Sequence, residues 1–296
     1  METRRLQYFV QIVDAGSINR AAAVIGIAQP ALSQQLAILE SELKVQLLER
    51  SAKGIEPTEA GRRLYVRAQV ILRQLGSLTL ELGEAAAEVA GAVAVGLPPS
   101  HGASLGNPLL AKVLTDLPRV RLQIVEDGAT ALSDKLLAGL LDMIVSPVRI
   151  SEPSLEETVL FQEELFLVSA PQLAPASLDP AAIANLPWIV TASPNAIRGR
   201  LNAMFTQADL EPNVVAEINS LPIVVRAVEE GLGVTLLPQA AAHEAAAKGR
   251  VVLTAFPAPG LRRSVLLYRP RNLPVTPAEH AVHGLLVNQA RALGGI

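Results

Sequence analysis

The chain has 296 residues, half of them hydrophobic but only 3% aromatic, so its cores must be built from aliphatic side chains and alanine. A formal net charge of −3 excludes an indiscriminate nucleic-acid binder, which would be basic throughout, and the absence of cysteine excludes disulfides and cysteine-based zinc sites. The length suits two or three domains, and neither a bilayer-spanning apolar run nor a signal-peptide core is present, so a cytoplasmic protein without membrane contact is expected.

Residues Ser17 to Leu43 read as two short helices joined by a tight turn. Ser17, after Gly16, is a good N-cap for a helix starting at Ile18. Ala21, Ala22, Val24 and Ile25 make that helix compact, and Gly26 suits its left-handed end. Ile27 plugs the corner, and Pro30 fits the first turn of the second helix. Leu32, Leu36, Leu39 and Leu43 then form a stripe expected to be buried. Gln29, Ser33 and Gln34 fall off the stripe at the N-terminal tip. Gln can pair with adenine and Ser can reach bases or phosphates, which is the chemistry of a helix seated in a DNA major groove. The competing reading is a helical hairpin whose Gln and Ser are merely solvated. The next segment disfavours it: Arg50-Ser-Ala-Lys-Gly-Ile-Glu-Pro-Thr58 reads as a wing whose Arg50 and Lys53 meet phosphate oxygens. Residues 1–70 hold nine Lys/Arg against seven Asp/Glu, a positive balance within a negative chain.

A long helix follows, with Thr58 as cap and Glu59 at its positive end. Leu64, Ala68, Ile71, Leu75, Leu78, Leu82, Ala85 and Val89 recur at steps of four and three, the seam of a two-helix coiled coil. A symmetric dimer would present two hairpins to two half-sites. From Gly91 the texture changes to alternating strands and helices: strands at 92–97, 120–125, 142–145, 165–168, 188–190, 214–218, 234–237, 251–254 and 264–268, with helices between and a last one from Thr276 to Leu293. Such alternation implies βαβ units and a mainly parallel sheet in two similar halves with a cleft between them.

The first 60 or so residues resemble the winged helix-turn-helix of the LysR-type transcriptional regulators. The matching residues are Leu6-Gln-Tyr-Phe9, Gly16-Ser17, Ala21-Ala22, Gln29-Pro30-Ala-Leu-Ser-Gln34, Leu39-Glu40, Leu47-Leu48-Glu-Arg50 and Pro57-Thr58-Glu-Ala-Gly61. Within the family, 5–14 and 27–35 are similar to the nitrogen-assimilation-control subgroup. Further on, Gly96-Leu-Pro-Pro-Ser100, Gly139-Leu-Leu-Asp142 and Glu229-Glu-Gly-Leu-Gly-Val-Thr-Leu-Leu-Pro238 resemble the family's effector-binding domain, which is like the periplasmic binding proteins. The resemblance implies an α/β protein with three parts: a winged helix-turn-helix at 1–58, a linker and dimerisation helix at 59–90, and a two-lobed effector domain at 91–296. Lobe 1 would be 91–163 with 264–296 and lobe 2 would be 164–263, the chain crossing near Glu164 and Arg263. It also implies that Ser100 and the turn after Glu126 line the effector pocket.

The expected DNA-contacting residues are Ser17, Gln29, Pro30, Ser33, Gln34, Arg50 and Lys53, with the helix-turn-helix itself spanning Ile18 to Ala37. Ligands of such sheets sit beyond the carboxyl ends of strands, at helix N-termini. That places the effector near Pro99, Ser100, His101, Gly128, Thr130, Thr191, Ser193, Arg198 and Ser220. Hydroxyls, N–H groups and Arg198 favour an acidic small molecule, although Pro98 and Pro99 offer no N–H. The expected partners are double-stranded operator DNA, further copies of the chain (a dimer through the linker helix and a tetramer), RNA polymerase in an activating role, and the effector. No metal or cofactor is expected. His280-Ala-Val-His283 has helical metal spacing but no third ligand and is taken as solvated. Enzymatic activity is not expected either: the adjacent carboxylates at 126–127, 156–157, 163–164 and 229–230 point apart, and no Gly-x-Ser-x-Gly elbow or phosphate loop occurs.

Overall fold

The computed structural model describes all residues except 52–53, 82–88, 193–194, 258–259, 272 and 295–296, and the backbone alone at 50–51 and 77–81. Three helices, α1 (Thr3–Ala15), α2 (Ile18–Ile25) and α3 (Gln29–Leu43), precede the wing strands β1 (Leu48–Ser51) and β2 (Gly54–Pro57), which pair antiparallel. α2 opens with the Ser17 hydroxyl accepting from Arg20 N–H and closes on Gly26 in the left-handed region at φ 79°. The chain then bends by 109° into α3, within the range of DNA-reading hairpins. Leu32, Leu36 and Leu39 are buried with Leu6, Phe9, Ile12, Ala21 and Ala22. Leu43, expected on the same stripe, is 38% exposed because it is the last residue of α3, followed by Lys44 in a left-handed turn. Val24 is 74% exposed, on the outer face of α2.

Two of the sequence motifs gain a physical reason here. Glu40 ties α3 to the wing by accepting from Leu47 N–H at 2.7 Å and Leu48 N–H at 3.3 Å. Thr58 donates its hydroxyl to Gln46 O and accepts from Gly61 N–H at 3.0 Å, so it caps the long helix α4 (Glu59–Glu81). At Gly61, the first turn of α4 lies directly on the backbone ahead of the wing: a Cβ there would stand 1.9 Å from Leu47 O.

α4 does not keep one uniform seam. Leu64, Ala68 and Leu72 pack into the core of the first three helices, while Ile71 and Leu75 are 39% and 40% exposed. The heptad spacing therefore serves two contacts, one with α1 and one left outward. Val89, expected on the same seam, packs instead into the first lobe, just ahead of β3 (Ala90–Leu97). Leu82 and Ala85 lie outside the described residues, and the side chain of Leu78 likewise.

In lobe 1, β3, β4 (Arg119–Glu126) and β5 (Met143–Ser146) are parallel. β6 (Leu155–Ser169) runs through both lobes, so a strand of 15 residues, nearly four times the expected length, replaces the one read at 165–168. α5 (Asn107–Asp116), preceded by short helical turns from Pro99, packs on one face of the sheet, and α6 (Ala129–Leu137) on the other. Lobe 2 holds α7 (Pro180–Ala184), β7 (Trp188–Val190), α8 (Ala196–Gln207), β8 (Val214–Glu217), α9 (Leu221–Glu229), β9 (Thr235–Pro238), α10 (Gln239–Ala247) and β10 (Val252–Ala255). Its core centres on Trp188, edge-on to Phe205 and donating Nε1–H to Ile183 O at 2.9 Å. β11 (Leu261–Pro270) returns antiparallel to β6, and α11 (Pro277–Gly294) closes lobe 1 beside α5. The sheet order β10-β6-β11-β5-β3-β4, with β9 on β6, is mixed rather than mainly parallel, because the strands that cross between lobes run against the βαβ units. Among the described residues no single helix is long and apolar enough to cross a membrane.

Gly61→Ala should destabilise the N-terminal unit by about 2–4 kcal/mol, since a backbone oxygen cannot yield as a flexible side chain can. Urea unfolding should show the loss; a midpoint within error of the parent chain would contradict the close packing.

Candidate functional site

Two places collect the residues singled out by the sequence. The first is the tip of α3. Gln29, Pro30 and Gln34 are exposed and Ser33 is half-buried, with Gln29 Nε2 donating to Ser33 Oγ at 2.7 Å. Gln35 is turned inward and accepts from Arg5 Nε at 3.1 Å, which separates it chemically from Gln34. Ser17 is half-buried and caps α2. Arg50 lies on β1 opposite Ile55, and the wing is held against the α1–α2 turn by Ile55 N–H donating to Gly16 O at 3.2 Å. Lys53 lies outside the described residues.

The second is a cleft of about 880 Å³ between the lobes. Pro99, Ser100, Gly128, Thr130 and Thr191 line it. Ser193 lies outside the described residues. Three expected residues are elsewhere. His101 is 0% exposed and sits beneath Ser100. Arg198 is directed away, its guanidinium bonded to Glu217 at 3.0 Å and Asn202 at 2.9 Å, because helical periodicity carries it round α8 from the cleft. Ser220 precedes α9 but is not among the lining residues, whereas its neighbours Asn219 and Leu221 are. Asn195 and Asn219, in the strand-end turns with Thr191 and Ser220, line the cleft too, whereas the sequence reading missed Glu126, Asp134, Arg149 and Arg263 as lining groups. The carboxyl end of β4 marked Glu126, and the crossing point marked Arg263; nothing local marked the others.

The floor of the cleft is a buried polar cluster on the crossing strands. Arg263 on β11 is the cross-strand partner of Glu163 on β6, and Arg263 Nε donates to Glu163 Oε1 at 2.5 Å. His101 Nε2 meets the other carboxylate oxygen at 3.0 Å, and its Nδ1 meets Ser100 Oγ at 3.0 Å. Burial alone would raise the Glu163 carboxyl, but the bond from His101 and the adjacent Arg263 guanidinium hold it below the ordinary value of 4.5. In the upper cleft, Asn219 Oδ1 accepts from Ala192 N–H at 3.1 Å, Asn195 caps α8, and Thr191 Oγ1 has no partner among the described residues.

The linker helix is joined to lobe 1 by Arg73, which donates to Gly139 O at 2.6 Å and Leu140 O at 2.9 Å and pairs with Asp142 at 3.0 Å. Asp142 in turn accepts from Ala94 N–H at 2.7 Å. Burial pushes the Asp142 carboxyl up, against the opposing pull of Arg73. Gly139 takes φ 78°, and a Cβ there would stand 2.8 Å from Val70 of the linker. The Gly139-Leu-Leu-Asp142 motif is thus the socket of the linker helix. His283, expected to be solvated, is half-buried beside this socket, and its pKa is lowered by burial and by Arg269 and His280. No group of metal-ligating side chains occurs among the described residues.

A helix-turn-helix and wing joined by a long helix to a two-lobed α/β domain are the parts of a class of transcriptional regulators. Residues 3–62 match the model of bacterial regulatory helix-turn-helix proteins of the lysR family, and residues 86–291 match the LysR substrate binding domain. The chain belongs to the LysR family of transcriptional regulators. It is 37% identical to the nitrogen assimilation regulatory protein nac of Klebsiella aerogenes, covering 97% of this chain and 95% of that protein. Full-length OxyR from Pseudomonas aeruginosa superposes with a TM-score of 0.73 at 26% identity, over 98% of this chain and 95% of that one. Full-length CbnR complexed with its target DNA shares the fold, with a TM-score of 0.73 at 20% identity over 99% of both chains.

Glu163→Gln should cost about 3–5 kcal/mol, because it strips the charge partner from a buried guanidinium. The pH sign follows from the depressed Glu163 pKa. Its stabilisation is complete above 4.5 and is lost as the pH falls through its lowered value in the folded chain. Thermal unfolding should therefore show a smaller acid-induced drop in the variant than in the parent; equal drops would remove Glu163 from the acid transition.

Proposed function

We propose that the chain regulates transcription by reading a specific operator with Gln29, Pro30, Ser33 and Gln34, and by gripping the flanking backbone with Arg50 and Lys53. The observation that carries this reading is the bare polar tip of α3. It lies beyond a 109° hairpin whose Leu32, Leu36 and Leu39 are buried inside the protein, so the tip has no structural duty beyond its own Gln29–Ser33 bond. CbnR, of the same fold, is known with DNA bound. Ser17, half-buried at the start of α2, adds a hydroxyl next to a phosphate path.

Two copies would pair through the outward Ile71 and Leu75 of α4 and so present two hairpins to two half-sites. A pair of such dimers makes the tetramer, RNA polymerase is the partner in an activating role, and the setting is the cytoplasm. A small molecule held in the interlobe cleft by Ser100, Thr130 and Thr191 adjusts DNA binding. An acid is no longer the favoured effector, since Arg198, which suggested it, is spent on Glu217.

Binding to labelled DNA from upstream of the chain's own operon tests the reading. Gln34→Ala should lose about 1–3 kcal/mol of discrimination at one base pair, with little change for nonspecific DNA. Arg50→Ala should weaken all sequences alike and lower the salt slope by about one. Absence of binding at low salt, or an Arg50→Ala chain with unchanged affinity and slope, would sink the assignment.

A further inference from the structure

We infer that the effector of this chain carries a protonated amine, received between Glu126, Asp134 and Ser100; this rests on the interlobe cleft being the effector site. The argument is one of charge accounting. Five ionisable groups other than histidine line the cleft: Glu126, Asp127, Asp134, Arg149 and Arg263. Three are already neutralised. Asp127 is paired with Lys135, Arg149 with Glu157 at 2.6 Å, and Arg263 with Glu163 at 2.5 Å. The side chains of Glu126 and Asp134 have no hydrogen bond or ion pair among the described residues, and both are exposed to the cleft. The surplus is two negative charges. A carboxylate entering would face both while each cation of the lining, Arg149 and Arg263, is already paired, whereas an ammonium would complete them.

Ser100 belongs to the same wall, its hydroxyl meeting His101 Nδ1 at 3.0 Å and receiving Arg263 NH2 at 3.5 Å. Ser100 and Glu126 are close: their strands end side by side, Leu97 opposite Glu126, and the Glu126 carboxylate lies over Gly102, 3.0 Å from where a Cβ would stand. Asp134 is one turn further along α6 from Thr130, on the same wall.

Isothermal titration of the full-length protein with L-lysine, putrescine, glutarate and benzoate tests this. L-lysine or putrescine should bind. Glu126→Gln or Asp134→Asn should weaken that binding by about 10- to 100-fold, the worth of one charge-assisted hydrogen bond. Both residues are exposed, so the variants should fold as the parent does. Thr130→Trp, which fills the cleft from an exposed position, should abolish it. Binding of glutarate or benzoate that Thr130→Trp abolishes, with both amines inert, would overturn the amine and leave the effector cleft standing. Amine binding indifferent to Glu126→Gln and Asp134→Asn would overturn it as well. Binding that survives Thr130→Trp, or none of the four compounds binding, would overturn both this inference and the cleft as the effector site.

Discussion

Arg73 reaches out of the linker helix into the turn that ends α6, and the relation between the two halves of the molecule depends on that contact. α6 finishes in a Schellman turn: Gly139 N–H returns to Leu136 O and Leu140 N–H to Lys135 O, each within 2.9 Å. The carbonyls of the same two residues then point outward and receive the guanidinium. A cation at a helix C-terminus is favoured by the helix dipole as well as by the hydrogen bonds. The buried Asp142 adds the counter-charge, and is itself anchored to the first strand of the lobe through Ala94. A lysine could not replace this pattern, since two carbonyls and a carboxylate are met by the several donors of one planar group.

The other end of α6 is the wall of the cleft, from Gly128 to Asp134. A helix of nine residues is about 14 Å long and behaves as a rod, so its two ends do not move independently. Its buried face, Leu132 and Leu136, packs against Ile144, Leu266 and Tyr268. Any rotation of α6 about that face would shift the Gly139 and Leu140 carbonyls under Arg73. Cleft and linker are thus joined by one element, and the helix-turn-helix sits on the same linker through the packing of Leu64 and Ala68 against α1.

Local chemistry made the N-terminal unit legible. Gly26, Pro30, Thr58 and the leucine stripe act within a few residues of themselves, and each behaves as its type requires. The effector domain was legible in its alternation but not in its polar contacts, which are long-range. Arg263 and Glu163 are a hundred residues apart and meet only because β6 and β11 pair antiparallel. The first ten residues of β6 carry four glutamates and read as solvated charge. In the structure three of them are paired, Glu156 with Arg269, Glu157 with Arg149 and Tyr268, and Glu163 with Arg263, so a sequence window shows half of each pair. Arg198 failed for a different reason. It is near the strand end in sequence, but a helix turn of 100° per residue directs its side chain away from the cleft. The linker seam was read correctly as apolar but as one surface, because spacing alone does not say which partner receives each residue.

The crossing strands also restrict how the lobes can move. β6 and β11 are shared by both lobes and are hydrogen-bonded to each other throughout, from Leu155 opposite Pro270 to Leu165 opposite Leu261. The ladder is irregular between Val265 and Leu266, on the lobe 1 side of the Arg263–Glu163 pair. A bulge increases local twist and breaks the regular pairing that otherwise resists bending. The buried pair beside it resists separation instead, since parting Arg263 from Glu163 would leave two desolvated charges. Bending of the lobes is therefore cheapest at the bulge and dearest at the ion pair, which places Ser100, bonded to both His101 and Arg263, on the fixed side of the motion. The groups carried toward it as the cleft narrows are those of lobe 2, Thr191 and Asn219, so a ligand held first at Ser100 and Glu126 would be covered by hydroxyl and amide and not by further charge.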